Sequence, residues 1–221
     1  MVEPSPVLAE TLSQIKALEN GTRPLVICDV DEVALHFIAH LEEHLETLGL
    51  VFLSHEYKLT GNIADGNGHP LAAADVKRLL QEFFDTWTHR QQPVEGAVEA
   101  LRTLSRAADI VFLTNLPGAW NKQTRMRTLT GHGMHYPVIT NSGPKGGAVA
   151  ALAAGRAGPV VFIDDSPQNI RSVQSAVAEC VLIHFVADKR FFATSDTIAG
   201  VHLKTDDWGA VEAYISSCLS D

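Results

Sequence analysis

Short apolar runs bounded by turn residues alternate with helical patterns along most of this chain, and few architectures accept that alternation. Runs fall at 25–29, 110–113, 138–140, 160–163 and 181–185, and helical patterns at 95–107, 119–130, 145–154 and 167–178 separate most of them. Strands this uniformly apolar are covered on both faces, which is the mark of a parallel sheet sandwiched by helices. A last strand near 200–204 and a helix near 207–219 complete the series. The expected fold is therefore α/β, a Rossmann-like doubly wound parallel sheet. Before the first strand, Val7, Leu8, Leu12, Ile15 and Leu18 line one side of a helical pattern over 6–19, which Asn20-Gly21 should end.

Residues 35–92 break the rhythm. Helical patterns at 35–48 and 71–88 flank a loop-like stretch at 52–70 rich in Gly, Asn and His, and no interior strand is legible there. This segment reads as a helical cap inserted straight after the first strand, with 1–34 and 93–221 forming the core domain.

That first strand ends abruptly in acids: Leu25-Val-Ile-Cys-Asp29-Val-Asp31-Glu32. Open α/β sheets bind ligands at the carboxyl edge of their strands, where both Asp residues should lie. Like charges so close require compensation, most simply by a cation. The run at 160–163 ends the same way, in Asp164-Asp165 followed by Ser166 and by Pro167, a residue suited to a helix's first turn. Oxygen ligands of this kind suit a hard divalent ion, and Mg²⁺ characteristically takes one or two carboxylates and keeps waters. Thr114-Asn115 closes the run at 110–113 and precedes Pro117-Gly118; a hydroxyl and an amide there suit phosphate oxygens. Lys145 sits in a Gly-rich loop at a helix start, where the macrodipole disfavours it, so it calls for an anionic partner.

In order, Asp-x-Asp, Thr, Lys and Asp-Asp resemble the four signature motifs of the haloacid dehalogenase (HAD) superfamily, which is dominated by phosphatases. The 85 positions from Asp29 to Thr114 match the subclass whose cap lies between the first two motifs. The resemblance implies that Asp29 is the nucleophile and forms an aspartyl-phosphate, and that Asp31 protonates the leaving group and then deprotonates water. It further implies that Asp165 binds Mg²⁺ directly, with Asp29, the Asp31 carbonyl and the water-mediated or second-layer Asp164 around the ion, and that Thr114, Asn115 and Lys145 hold phosphoryl oxygens. The implied substrate is a small phosphorylated metabolite. Many relatives carry Gly after the second Asp, where this chain has Glu32.

Neighbouring readings fit less well. A dehalogenase expels halide without a proton, which would leave Asp31 superfluous. A receiver-like domain phosphorylates a lone Asp and has no 58-residue insertion after its first strand. A phosphoryl-transferring mutase, or a phosphate- and Mg²⁺-binding regulatory protein with little turnover, remains an alternative.

The net charge of −9 without a long basic run disfavours nucleic-acid and anionic-membrane partners. Cys28, Cys180 and Cys218 are few and scattered, like core residues of a reducing compartment. With no signal-peptide pattern and no membrane-length apolar stretch, the default location is cytoplasmic. His36, His40 and His44 recur every four residues beside the apolar face of the first cap helix and are expected to pack or hydrogen-bond there. Phe83, Phe84 and Trp87 are expected in the cap core, and Tyr57, Lys58 and Asn62 in an exposed cap loop. Lys122, Arg125 and Arg127 are expected to form a solvated helix face.

Overall fold

The computed structural model describes residues 7–18, 21–56, 58–118 and 120–219. Helix α1 (Ala9–Lys16) leads into β1 (Leu25–Cys28). Then follow α2 (Ile38–Thr47), β2 (Leu50–Phe52), β3 (Ile63–Asp65), α3 (Ala73–Thr86) and a 3-10 turn at Thr88–Arg90. From there the chain alternates: α4 (Ala97–Leu104), β4 (Asp109–Asn115), α5 (Asn121–Gly131), β5 (Val138–Asn141), α6 (Gly146–Ala153), β6 (Val160–Asp164), α7 (Pro167–Ala176) and β7 (Val181–Phe185). Helix α8 (Lys189–Thr194), β8 (Leu203–Thr205) and α9 (Trp208–Cys218) close the fold.

Six strands form one sheet in the order β5-β4-β1-β6-β7-β8, and every pairing is parallel. The chain moves outward one way from β1 through β4 and β5, then the other way from β6 through β7 and β8. The crevice between the carboxyl ends of β1 and β6 is thus the topological switch point, where doubly wound sheets bind ligands.

Alternation along each strand divides the interior in two. Val26 and Cys28 of β1 face a cluster with Leu101, Trp208 and Ile215 from α4 and α9, whereas Leu25 and Ile27 face Val149, Ile170 and Val173 from α6 and α7. A strand buried on both sides needs apolar residues at every position, which is why β1 and β6 read as unbroken runs.

The cap has its own apolar cluster of Phe37, Ile38, Leu41, Leu45, Ile63, Val76, Leu79, Phe83 and Phe84. Val186 and Phe191, contributed by the segment after β7, complete it. The cap's two connections run side by side: His36 N donates to Gln92 O at 2.9 Å and Val94 N donates to Ala34 O at 3.0 Å.

Several expectations need correction. The stretch at 52–70 is not wholly loop, because β2 and β3 pair as a short antiparallel hairpin. Backbone pairing joins Leu50–Phe52 to Ile63–Asp65, strands too short to show a pattern in the sequence. Asn62, buried rather than exposed, braces the loop between them by accepting from Ser54 N at 2.8 Å and donating to Ser54 O at 2.9 Å. Helix α8, unexpected from the sequence, starts where the Asp188 side chain accepts from Arg190 N and Phe191 N. Helix α1 is shorter than 6–19; Asn20 of its expected stop lies outside the described residues, as does Tyr57. Cys28 and Cys180 are buried core residues as expected. Among the described residues no helix is long and apolar enough to cross a membrane.

Candidate active site

Asp29 follows β1 directly and is fixed by its own backbone, with its N–H donating to Ile163 O at 2.9 Å. Its Oδ1 accepts from Val30 N at 2.7 Å and lies 2.8 Å from Lys145 Nζ. Both donors converge on Oδ1, which leaves Oδ2 free of donors among the described residues. Across the switch point, β6 ends in Asp164, and Asp165 follows it. One carboxylate oxygen from each of Asp29, Asp164 and Asp165 falls within 4.8 Å of the others, and all three residues are buried.

Lys145 is the counterweight. It is fully buried, and its ammonium bridges Asp29 Oδ1 and Asp164 Oδ2, the latter at 2.7 Å. Its place at the head of α6 depends on Gly146, whose N–H donates to Ser172 Oγ at 3.0 Å. A Cβ at Gly146 would collide with the Ser172 carbonyl oxygen of α7, so a larger residue would push α6 and its lysine off the site. Burial pulls the ammonium toward its neutral form, but Asp164 and Asp29 outweigh that and leave its pKa raised.

The carboxylates are not equivalent. Asp164 is saturated: besides Lys145 it accepts from Ser166 N at 2.9 Å and from Asn169 Nδ2 at 3.0 Å. Asp165 has no ion-pair partner among the described residues. Burial, then the charges of Asp29 and Glu32, push its pKa well above the usual carboxylate range. Burial also drives Asp29 up to about 7, with Lys145 opposing and Asp164 reinforcing the shift. Three buried carboxylates against one ammonium leave an excess of negative charge, and every donor atom is a hard oxygen. That set fits a divalent cation of the Mg²⁺ kind. His184 on β7 supports this corner from below, its Nε2–H donating to Asp165 O at 2.9 Å.

Thr114 lies at the carboxyl end of β4 with its hydroxyl buried and without a hydrogen-bond partner among the described residues. A hydroxyl in that state is costly unless a ligand oxygen meets it. Asn115 is differently employed. Its Nδ2 donates to Gly143 O at 3.0 Å and its Oδ1 accepts from Asn141 Nδ2 at 2.9 Å, so its side chain braces the loop after β5. That brace forms one wall of a cleft of about 350 Å³ between the loops after β4 and β5 and helix α3, whose Val76, Leu80, Gln81 and Phe84 form the facing wall.

The carboxylates of Asp31 and Glu32 have partners other than those of Asp29. The Asp31 carboxylate is held by Arg125 and Gln91, and Arg125 is completely buried, which overturns the solvated helix face expected for it. Lys122 instead donates to Gln14 Oε1 at 2.6 Å, and Arg127 is exposed. The sequence hides Arg125 because α5 carries little apolar character to show which of its sides faces inward. Gln91 was missed for a related reason: a lone amide in a connecting turn has no pattern.

Glu32 is fully buried and adopts a left-handed φ of 65°, which disfavours a non-glycine residue. Its carboxylate compensates by gathering three backbone amides: Phe37 N at 3.0 Å, Ile38 N at 2.7 Å and Asp188 N at 2.6 Å. Burial raises its pKa, and these N–H groups oppose the shift. Glu32 thus ties the first turn of the cap to the segment after β7. Glu32→Ala strands those amides and is expected to cost about 3 kcal/mol; a thermal melt showing less than about 1 kcal/mol would mean the cap base stands without it.

The histidine strip packs as expected. His40 Nε2 accepts from Gln92 N at 3.1 Å, His36 Nε2 lies 3.2 Å from Glu95 Oε2, and His44 packs on Phe83 and Trp87 with ring centroids 5.9 and 5.1 Å away. Lys58 borders a small cavity with Phe37, Ile38, Leu59 and Phe191.

No protein-family model matches the chain. No curated protein matches it either. Solved structures do. A HAD family hydrolase from Deinococcus radiodurans R1, with bound phosphate and sodium, superposes at a TM-score of 0.61 with 14% identity, over 90% of this chain and 97% of the other. A HAD hydrolase from Bacillus subtilis bound to magnesium gives 0.59 and 12%, over 88% and 99%. A D,D-heptose 1,7-bisphosphate phosphatase from B. bronchiseptica, complexed with magnesium and phosphate, gives 0.53 and 14%, over 88% and 98%. Identities this low speak for the fold and leave the chemistry to the residues. The chain has the haloacid dehalogenase-like fold, a Rossmann-like parallel sheet carrying a helical cap inserted after its first strand.

Proposed function

We propose that this chain is a Mg²⁺-dependent phosphatase acting on a small phosphomonoester through an aspartyl-phosphate, with residues 35–92 as the cap over the site. The observation that carries the reading is the buried Lys145 fixed between Asp29 and Asp164 beside an uncompensated Asp165. An anionic nucleophile can meet an anionic phosphoryl group only where positive charge is already organised.

Oδ2 of Asp29 attacks phosphorus in line as the bond to the leaving oxygen breaks, and Asp31 supplies the proton that oxygen needs. Asp31 then takes a proton from water as the water oxygen bonds phosphorus and the bond to Asp29 breaks, releasing phosphate. Lys145 and the unpartnered Thr114 hydroxyl hold phosphoryl oxygens. Asn115, whose side chain is engaged in the loop brace, contributes by shaping the pocket wall. Asp29, the Asp31 carbonyl and Asp165 would hold Mg²⁺, with Asp164 behind them, and the bound ion would neutralise carboxylate charge and polarise phosphoryl oxygens. The cleft beside α3 receives the rest of the substrate, and its mixture of apolar and amide walls suits a small metabolite.

The phosphate and magnesium in the solved structures above support this reading. Its test is turnover of a panel of phosphorylated metabolites with Mg²⁺, combined with an ion titration of Asp165→Ala. Removing a direct ligand is expected to raise the Mg²⁺ needed for half-maximal rate at least about 100-fold, since even outer supports of metal sites cost 10–100-fold. An unchanged titration removes Asp165 from the metal site. Failure on the whole panel would leave a phosphate-binding protein.

A further inference from the structure

Arg125 is the largest charged side chain fully buried among the described residues, and its surroundings are specific. Nη2 sits between the two oxygens of Asp31, 2.7 Å from Oδ1 and 2.8 Å from Oδ2, while Nη1 donates to Gln91 Oε1 at 2.8 Å. Gln91 closes the triangle, its Nε2 donating to Asp31 Oδ1 at 2.9 Å and to His36 O at 3.0 Å. The remaining guanidinium nitrogen, Nε, is buried without a partner among the described residues.

Burying a guanidinium costs several kcal/mol, and an apolar residue of similar volume generally serves stability as well or better. A group buried at that cost, with one donor left unmet, is placed for what its other donors hold. What they hold is one of the site's carboxylates, and they hold it unevenly. Among the described residues Oδ1 accepts from both Arg125 and Gln91, whereas Oδ2 accepts from Arg125 alone and keeps acceptor capacity. The Asp31 side chain retains 15% exposure, so it is anchored without being sealed.

We propose that Arg125 and Gln91 are positioning residues for Asp31, with Oδ1 as the anchored oxygen and Oδ2 as the one that exchanges the proton. The inference rests on the phosphatase reading. In the first step Oδ2 gives its proton to the leaving oxygen as that oxygen's bond to phosphorus breaks. In the second, Oδ2 takes a proton from water as the water oxygen bonds phosphorus and the bond to Asp29 breaks. An aspartate side chain that rotates freely loses both transfers, because proton transfer requires heavy atoms within hydrogen-bond reach. Gln91 lies where the chain returns from cap to core, beside the 2.9 Å contact of His36 N with Gln92 O. The orientation of Asp31 is therefore referenced to the cap base and to α5 together.

The test uses 4-nitrophenyl phosphate with Mg²⁺ in rapid mixing. Its leaving group needs no proton, so Arg125→Met should keep a fast first release of one 4-nitrophenolate per site and then turn over about 100-fold more slowly than the parent, the low end of general acid–base contributions. KM should not rise, and Arg125→Lys should recover about tenfold by restoring a donor to Asp31. Gln91→Leu, which spares the guanidinium, should show the same burst with a smaller loss and serves if Arg125→Met does not fold. A crystal structure of whichever variant folds should show the Asp31 carboxylate displaced. Equal loss of both phases, unchanged steady turnover, or an unmoved Asp31 carboxylate overturns the positioning role while leaving the phosphatase reading intact. Absence of turnover by the parent protein on every phosphomonoester overturns both.

Discussion

If Asp29 is the proposed nucleophile, Asp29→Asn is expected to lower phosphomonoester turnover at least about ten-thousand-fold, as when other covalent nucleophiles are removed. The substitution is nearly isosteric, and the amide oxygen can still accept from Val30 N, the 2.7 Å bond that fixes the side chain. It leaves a poor nucleophile where Oδ2 stood and removes one negative charge. The fold should survive or gain: Asp29 is driven up to about 7 by burial, so its ionised form is costly to keep. The measurement is kcat on an aryl phosphate together with a thermal melt. Loss of turnover with an equal or higher melting temperature assigns the chemistry to Asp29. Retained turnover removes it as nucleophile, and loss of both means the variant tests only folding.

Lys145→Met tests the opposite charge. Methionine roughly matches the aliphatic stem, so the buried volume stays filled, but Asp29 and Asp164 lose the ammonium at 2.8 and 2.7 Å. Removing one partner of a buried ion pair typically costs about 3–5 kcal/mol because the other charge stays buried and unpaired. Here two carboxylates are stranded. Asp164 keeps Ser166 N and Asn169 Nδ2, so the larger share of the loss should fall on Asp29. Added Mg²⁺ should restore part of the stability by binding the folded form, yet turnover should stay depressed because the phosphoryl oxygens have lost a fixed cation. Denaturant unfolding with and without Mg²⁺ separates these effects. A variant as stable as the parent in metal-free buffer would mean that the ammonium contributes no net stabilisation.

The sheet was legible in the sequence wherever a strand is buried on both faces. Residues 25–28, 160–163 and 181–185 have no alternative environment, and β4 and β5 differ from their expected spans only at their ends. The acids at the ends of β1 and β6 stood out because an apolar run stops on them. What stayed hidden was polar structure without periodicity. The loop of the short β2–β3 hairpin is braced by one asparagine, α8 is announced only by its Asp188 cap, and Arg125 is inward-facing on a helix with almost no apolar side. Glu32 was visible as a departure from Gly, but three amide partners spread from Phe37 to Asp188 cannot be read from neighbours in the chain.

The apolar cluster beneath the cap draws Val186 and Phe191 from beyond β7, and Arg190 grips Glu42 of α2 through paired contacts at 3.1 and 2.7 Å. Caps of this fold invite treatment as exchangeable modules. In this chain the transplantable piece is discontinuous: moving the insertion alone would leave two large apolar side chains facing water on the recipient frame and a hole in the transferred one. Recombination that respects only the obvious insertion boundaries would yield poorly soluble chimeras, whereas co-transfer of residues 186–194 would carry a finished interior. The same arrangement means that changes in cap chemistry and in the α8 segment are free to accumulate only as a correlated set.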